Sequence, residues 1–399
     1  MLYRVDYEYG KDEVGLNKRK GVLIPVIFIV LAMVLSGCNL IRVNEEKNRK
    51  IVVAKVNGVE ILKGDVLDRY DSYYSGKVEE YDKDVMLSII NNLVEEELVR
   101  QKAEEAGYVV DEEVLKRAKE DYEQAIKNYA ESLKEQAGED ADPGTDYEKQ
   151  ARDEMKEYID SSGQTEEEYL QLVGKYIVIQ DYLDELTKDV SVDDKEIEEY
   201  YQEQVEFQTK YPSLAAGYSS VTIVTEPASR LVKHILVKLP DEDSKEIANL
   251  RNEGKDEEAD QLREEKLQSI KDKAQMICDR AKSGEDFEKL LDLYGEDPGM
   301  TSEEYKDGYK ILRDENMQPE FVEAAFNLKE GEISDLVATD YGYHIIKIYE
   351  ATEDEILPLE DVKEDIHDVL LGRKKNEKAD EFISQWKEEA DIKIYENRL

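Results

Sequence analysis

Cysteine, histidine and basic residues are all scarce in this chain of 399 residues. It has two cysteines and three histidines, and no C-x-x-C or H-x-x-x-H spacing that would indicate a metal site. Lysine and arginine number 54 against 97 aspartates and glutamates, which gives a formal net charge of -43 at pH 7. This charge argues against nucleic acid or anionic lipid as a partner. It predicts a well-solvated acidic surface on a chain long enough for two or three domains.

Long apolar runs are missing as well. After Lys18-Arg19-Lys20 a run extends only from Gly21 to Leu35, which is short for a transmembrane helix but typical of a secretory signal. The Leu-Ser-Gly-Cys sequence that ends at Cys38 is similar to the lipobox of bacterial lipoproteins, which implies cleavage before Cys38 and a diacylglycerol anchor on its sulfur. An uncleaved membrane anchor with an incidental cysteine is the alternative.

Cys278 is the only other thiol. If Cys38 carries lipid, an intramolecular disulfide is therefore impossible. Cys278 lies within a helical pattern, where a small buried residue is the simpler interpretation.

The chain after residue 50 begins with a hairpin pattern and continues with helices. Two short extended runs between Ile51 and Ile61 flank Asn57-Gly58, a strong two-residue turn signal. Asp111 begins a predicted helix that ends near Gln136, and Thr165 with Glu168 has the spacing of a capping box. One buried helical stripe is predicted from residues that recur at three and four positions: Met86, Ile89, Ile90, Leu93, Val94 and Leu98.

The most informative stretch extends from Met317 to Tyr349. Pro319 can occupy a first helical position, and the apolar spacing that follows predicts a short helix. Beyond Gly331 two runs, 333–337 and 343–349, predict strands joined by a turn at Asp340-Tyr341-Gly342. A helix on an antiparallel hairpin is expected here.

These residues resemble the C-terminal half of the parvulin, or PpiC-type, peptidyl-prolyl isomerase domain. The pattern is carried by Met317, Pro319, Phe321, Gly331, Glu332, Ile333, Ser334, Thr339, Tyr341, Gly342, Tyr343, His344, Ile345 and Ile346. The His-Ile-Leu-Val sequence that begins at His234 resembles the first strand of the same domain. Between the two, Leu239 to Glu264 is predicted to be a charged insertion or helix extension at the surface, and one helix is predicted from Leu267 to Ala281.

The resemblance implies an α+β fold, in which a parvulin domain with a small antiparallel sheet and surrounding helices is inserted in a mostly helical chaperone domain. The helical region is similar to the N-terminal domain of SurA- and PrsA-type foldases, although a spacer or dimerisation region is an alternative. The expected domains are a lipoprotein signal peptide (1–37), a tether (38–50), a helical chaperone domain (51–190), a linker helix with an irregular connection at Glu206 to Pro227 (191–229), the parvulin domain (230–350) and a C-terminal helix (351–399). That last helix is expected to pack on the N-terminal domain, with a free partner-binding helix as the alternative.

The resemblance also implies a site. His234, Asp297, His344, Thr339 and Tyr341 correspond to the polar residues that face the twisting amide, and Met317, Phe321, Phe326 and Leu312 to the apolar pocket for proline. Each has a plainer interpretation, since a methionine or phenylalanine at helical spacing is usually core and Asp297 before Pro298 could simply start a turn. One departure is the loop Lys306 to Lys310, where parvulins usually have Gly-Gly-Asp-Leu-Gly; fewer glycines remove backbone conformations with positive φ.

The implied function is isomerisation of X-Pro bonds in secreted proteins, with no metal and no cofactor. The expected partners are unfolded or partly folded, proline-containing secreted proteins, and the membrane through lipid on Cys38 at the extracytoplasmic face of the cell. A homodimer is an open possibility, as is an acidic face that attracts basic client segments or cations. The alternative functions are a non-catalytic holdase with a degenerate parvulin domain and a structural surface lipoprotein.

Overall fold

The computed structural model describes residues 45–73, 81–138, 144–161 and 163–399. Cys38, the signal sequence and most of the tether lie outside these residues. The helices over the described residues are α1 (Glu45–Arg49), α2 (Lys63–Tyr73), α3 (Lys83–Glu105), α4 (Glu112–Ala137), α5 (Tyr147–Ser161), α6 (Glu166–Leu186), α7 (Asp194–Lys210), α8 (Pro212–Tyr218), α9 (Asp241–Asn252), α10 (Asp256–Gln268), α11 (Lys271–Lys282), α12 (Phe287–Tyr294), α13 (Pro319–Phe326) and α14 (Leu359–Glu389).

The strands over the same residues are β1 (Val52–Val56), β2 (Val59–Leu62), β3 (Val224–Glu226), β4 (Ser229–Lys238), β5 (Tyr309–Ile311), β6 (Val337–Thr339), β7 (Gly342–Thr352), β8 (Glu355–Ile356) and β9 (Ile392–Ile394). The chain divides into two compact units. The N-terminal unit comprises the described residues up to Ser191 with Leu371–Leu399, and the sheet unit comprises Val192–Leu370. The predicted α+β class, mostly helical with small antiparallel sheets, is confirmed.

The N-terminal unit is built on a three-stranded sheet in the order β2-β1-β9. The predicted hairpin is present: Asn57 and Gly58 both have positive φ, 50° and 93°, as its turn requires. The α3 stripe of Ile90, Val94 and Leu98 is buried in the same core as Trp386 of α14. Both ends of the described chain therefore contribute to one hydrophobic core. The same two ends are joined by the antiparallel pairing of β9 with β1.

Helices α4, α5 and α6 form a second, tyrosine-rich cluster in this unit. Tyr122 and Tyr129 are buried there, and Tyr129 donates a 2.5 Å hydrogen bond to Glu154. The predicted capping box at the start of α6 is present, with reciprocal bonds between Thr165 and Glu168.

The sheet unit contains a four-stranded antiparallel sheet in the order β5-β4-β7-β6. Because side chains alternate along a strand, its two faces differ. Ile235 and Ile345 face α11 and α12 in one core, whereas Val232 and Ile346 belong to a second core with Phe321 of α13. His234 is two residues after Val232 on β4, and His344 is two residues before Ile346 on β7. Both histidines therefore lie on the α13 face.

A smaller part of the sheet unit joins β3 with β8 in a two-stranded sheet. Here Ile197 and Tyr200 of α7 pack with Ile223 and with Val362 and Ile366 of α14. Buried Gln208 accepts hydrogen bonds from the backbone N–H groups of Ile223 and Val224, which ties α7 to the strand β3 that leads into β4.

Three stretches differ from the sequence predictions. The region from Glu206 to Pro227 is not irregular throughout, since α7 continues to Lys210 and α8 begins at Pro212, a residue suited to a first helical position. The charged stretch after Leu239 is helical, forming α9 and α10 in agreement with the helix-extension alternative, but it is not confined to the surface, because Ile247 and Ala259 are fully buried. The stripe from Leu267 to Ala281 is divided between α10 and α11.

The predicted strand at 333–337 is also reduced. Only Ile333 forms an isolated bridge, to Lys347, and regular pairing begins at Val337. The physical reason is Ser334, whose side-chain Oγ accepts the Ile346 N–H at 2.8 Å. A side chain thus occupies a position in the ladder that a backbone carbonyl would otherwise fill.

Candidate active site

Two histidines on neighbouring strands form the centre of the site. In the β4–β7 register His234 lies opposite Ile346 and His344 lies opposite Leu236, so the two imidazoles are diagonal neighbours on one face. Their rings are nearly parallel, with centroids 5.0 Å apart and an interplanar angle of 24°. The two Nδ1 atoms are 3.0 Å apart, a hydrogen bond between two buried side chains.

Asp297 completes one end of this row. It follows α12 in a loop that is attached to β4 by a hydrogen bond from the Glu296 N–H to the Leu236 carbonyl, 3.0 Å. Its Oδ2 is 2.8 Å from His234 Nε2, and its Oδ1 accepts the Gly299 N–H at 3.1 Å. Burial by itself raises the pKa of Asp297, but the hydrogen bond and charge of His234 and the other donors outweigh burial and lower this pKa to about 2.

Thr339 completes the other end. It is fully buried at the end of β6, and its Oγ1 is 2.8 Å from His344 Nε2. Burial, followed by the proximity of His234, lowers the pKa of His344 to about 3. His344 is therefore neutral at physiological pH, with one ring nitrogen that donates and one that accepts.

The row Thr339, His344, His234 and Asp297 has two consistent proton arrangements. An ionised carboxylate only accepts, so His234 Nε2 must donate to Asp297. With His234 neutral, His344 donates from Nδ1 and Thr339 donates to His344 Nε2. With His234 protonated, both of these directions reverse. Both arrangements use the same heavy-atom contacts.

An apolar wall covers the histidine pair. The ring of Phe321 meets His234 edge-to-face with centroids 5.1 Å apart, and His344 in the same way at 5.3 Å. Met317, just before α13, is half-buried in the same apolar cluster. The predicted residues Met317, Phe321, His234, His344, Asp297 and Thr339 are thus brought to one face of one sheet.

Known proteins match both parts of the chain. Residues 234–350 match the model of the PPIC-type PPIASE domain, and residues 15–120 match that of the SurA-like N-terminal domain. The foldase protein PrsA of Clostridium botulinum (strain Hall) is 28% identical over 399 residues, which cover 96% of this chain and 98% of that protein. This chain is a PrsA/SurA-like foldase. It is a peptidyl-prolyl isomerase of the PpiC type with a SurA-like chaperone domain.

Two further comparisons give more distant similarities. The PrsA of Clostridium perfringens (strain ATCC 13124) is 24% identical over 397 residues, covering 95% of the foldase chain and 96% of that relative. A crystal structure of PrsA from Bacillus cereus is 21% identical, with a TM-score of 0.26 and coverage of 88% of this chain and 96% of that one. No comparison favours the alternative of a non-catalytic holdase.

Three other residues were predicted for the site. The Phe326 ring contacts two guanidinium groups, with its centroid 4.9 Å from Arg230 Cζ and 4.5 Å from Arg313 Cζ. Leu312 is half-buried after β5. Tyr341 is 50% exposed; its backbone N–H donates to Thr339 Oγ1 at 3.2 Å. Among the described residues no hydrogen bond of its hydroxyl occurs, so a role for that group stays a prediction.

One residue of the foldase site was missed by the sequence analysis. Tyr309 was treated only as part of a loop that lacks the usual glycines, but it begins β5 and its hydroxyl donates to Asp297 Oδ2 at 2.9 Å. Burial and then this hydrogen bond raise the pKa of Tyr309, so the hydroxyl remains a donor. The alternating Tyr309-Lys310-Ile311 sequence before Met317 was the available signal, since it suits a short strand.

In the part of the foldase that the structure describes, no group of three or more histidine, cysteine, aspartate or glutamate residues could hold a metal ion. Among the same described residues no helix has the length and apolar character needed to cross a membrane. Cys278 is buried, as its interpretation as a small core residue predicted.

Proposed function

We propose that the foldase isomerises X-Pro bonds of unfolded or partly folded secreted proteins on the α13 face of its four-stranded sheet. The observation that supports this most is the edge-to-face contact of Phe321 with both His234 and His344. At this contact an apolar surface that suits a pyrrolidine ring lies directly against a hydrogen-bonded polar row that suits an amide.

The reaction requires little from the protein beyond shape and polarity. Rotation about an X-Pro bond loses amide resonance and crosses a barrier of roughly 18–20 kcal/mol, so uncatalysed exchange takes tens of seconds or longer. No bond is broken and no nucleophile is needed. The catalyst has to bind the twisted amide more tightly than either planar form.

In this proposal the residues divide into two groups. Met317 and Phe321 hold the proline ring, with Phe326 and Leu312 at outer positions of the apolar surface. His234, His344, Asp297 and Thr339 form a fixed polar row beneath the rotating amide. Because their hydrogen bonds already exist without substrate, these dipoles need no reorganisation when the carbonyl turns, which favours the twisted form. Tyr341 is placed at the rim.

The remaining parts of the proposal concern location and clients. The helical region, residues 51–190, holds unfolded segments of the client while its prolines isomerise. The isomerase domain comprises residues 230–350. Lipid on Cys38, which lies outside the described residues, anchors the foldase to the extracytoplasmic face of the cell membrane. A Cys38→Ala variant would then appear in the medium or the soluble fraction; if it stays with membranes as wild type does, the anchor proposal is wrong.

A proline-peptide isomerisation assay tests the site directly. Wild type should accelerate exchange, whereas His344→Ala and Met317→Ala should lose roughly tenfold or more, because each removes a contact to the twisted amide or the ring. His367→Ala is the matched control, since His367 is partly exposed on α14. Background rates for all four proteins, with client aggregation still suppressed, would leave only the non-catalytic holdase.

A further inference from the structure

Tyr309 joins the apolar wall of the site to its polar row. It begins β5, opposite Val232 of β4, and its ring centroid lies 5.9 Å from that of His234. The ring packs in the apolar cluster that contains Met317 and Phe321. Its hydroxyl reaches the other side of the site and donates to Asp297 Oδ2, the same oxygen that meets His234 Nε2.

Gly299 makes room for this hydroxyl. A Cβ atom at position 299 would lie 1.7 Å from the Tyr309 hydroxyl oxygen, far closer than two such atoms can approach. The Gly299 backbone N–H meanwhile donates to the second oxygen of Asp297. The carboxylate is therefore held at both oxygens by groups that fit against each other.

We propose that Tyr309 is a positioning residue of the isomerase site, whose hydroxyl fixes the Asp297 carboxylate in the orientation that bonds His234 Nε2. The inference rests on the proposed role of Asp297 in the reaction. If Tyr309 only filled the apolar cluster, phenylalanine would serve equally well, because the two rings are nearly the same size.

The effect of removing the Tyr309 hydroxyl depends on the other groups around the Asp297 carboxylate. His234 of β4 and Tyr309 of β5 bond to its Oδ2 and the Gly299 N–H donates to its Oδ1. Lys238 of β4 and His344 of β7 interact with it electrostatically. Two of these, Tyr309 and Gly299, are uncharged donors that favour the ionised carboxylate. Removing the hydroxyl leaves Asp297 with one donor fewer and frees its side chain to rotate away from His234.

Tyr309→Phe in the full chain tests the inference, with Tyr305→Phe as control. The Tyr305 ring packs 4.9 Å from that of Tyr309, but Asp297 accepts from Tyr309 and not from Tyr305. We expect the Asp297 carboxyl, followed by ¹³C NMR, to titrate roughly one pH unit higher in Tyr309→Phe and unchanged in Tyr305→Phe. The kcat for proline isomerisation should fall roughly fivefold to tenfold, with KM within about twofold of wild type.

Gly299→Ala provides an independent test, because its Cβ must displace the hydroxyl. It should reproduce both effects of Tyr309→Phe, and the double variant should resemble the single ones instead of adding to them. An unchanged Asp297 titration in Tyr309→Phe would overturn the inference, as would additive losses in the double variant. Absence of isomerase activity in wild type would contradict the proposed function instead, and the NMR titration would still decide the part played by Tyr309.

Discussion

Arg263 Nη1 lies 2.8 Å from Glu320 Oε1, which joins α10 to the first turn of α13. The same guanidinium is 3.6 Å from Asp340 in the β6–β7 turn, and Arg251 of α9 meets Asp340 with two nitrogens, at 3.1 and 3.2 Å. The α9–α10 pair is thus tied to the elements that carry Phe321 on one side and Thr339 on the other.

Removing the charge of Arg263 should loosen these two elements. Arg263→Met keeps the length of the side chain, and we expect a loss of about 1 kcal/mol in protection of the β6–β7 amides, because the pairs are partly buried. Native-state hydrogen exchange measures this. The control is Lys306→Met, whose pair with Glu303 is largely exposed and should contribute almost nothing; equal effects of the two variants would contradict the prediction.

The low pKa of His344 makes the sheet unit less stable in mild acid. Its pKa is lowered by burial from 6.5 to about 3, so below pH 6.5 the unfolded chain binds a proton that the folded site does not. Unfolding free energy should therefore fall as pH decreases from about 6.5 towards 3, with a slope of at most about 1.4 kcal/mol per pH unit from this group. Above pH 6.5 His344 contributes no pH dependence.

The measurement compares wild type with His344→Asn between pH 7 and pH 5, using urea unfolding followed at sheet-unit amides. Asp297 does not interfere in this range, because its pKa shift from 3.8 to about 2 affects stability only below about pH 4. The non-titrating variant should show a shallower pH dependence. Identical slopes for the two proteins would show that His344 is not held neutral by the fold.

The hydroxyl of Thr339 should matter more than its methyl group. Thr339→Val leaves buried His344 Nε2 without a partner, and an unsatisfied buried polar group costs about 1–3 kcal/mol. Proline isomerisation should fall with it, because the orientation of His344 is no longer fixed. Thr339→Ser keeps the hydroxyl and should retain most activity, so a serine variant as poor as valine in the peptide assay would exclude this explanation.

Gly342 should tolerate no side chain. Its φ is 145°, and a Cβ there would lie 2.2 Å from the Val237 carbonyl oxygen across the β4–β7 ladder. Gly331 also has positive φ, 83°, but open space around it, so Gly331→Ala should cost only the backbone strain of about 1–2 kcal/mol. Gly342→Ala should lower thermal stability by clearly more and shift the NMR signals of His344, and equal melting temperatures would contradict this prediction.

Much of the fold and part of the site followed from local patterns. The hairpin at Asn57-Gly58, the capping box at Thr165 and the short helix after Pro319 depend on turn chemistry, capping and periodicity, which act between residues a few positions apart. Met317, Phe321 and His344 fall within thirty residues of sequence that resemble one domain. The domain boundaries and the role of each site residue remain predictions, and the isomerisation assays test the roles of Met317, Thr339 and His344.

Other features had no local signal. Tyr309 looked like a residue in an altered loop, and its bond to Asp297 exists only because β5 pairs with β4 beside the loop that follows α12. The charged stretch after Leu239 looked like a surface insertion, yet Ile247 and Ala259 are buried and Arg251 and Arg263 bind distant carboxylates. These contacts join residues 12 to 89 positions apart.

The sequence by itself therefore determined which short stretches form turns and helices, the signal-like start and the family resemblance, since each depends on residue type and short spacing. Only the tertiary structure decided which polar groups meet: strand register set the diagonal of His234 and His344, and the loop after α12 placed Asp297 between His234 and Tyr309. The reason is that hydrogen bonds and pKa values depend on distances of about 3 Å and on burial, which chain folding creates and local sequence does not encode.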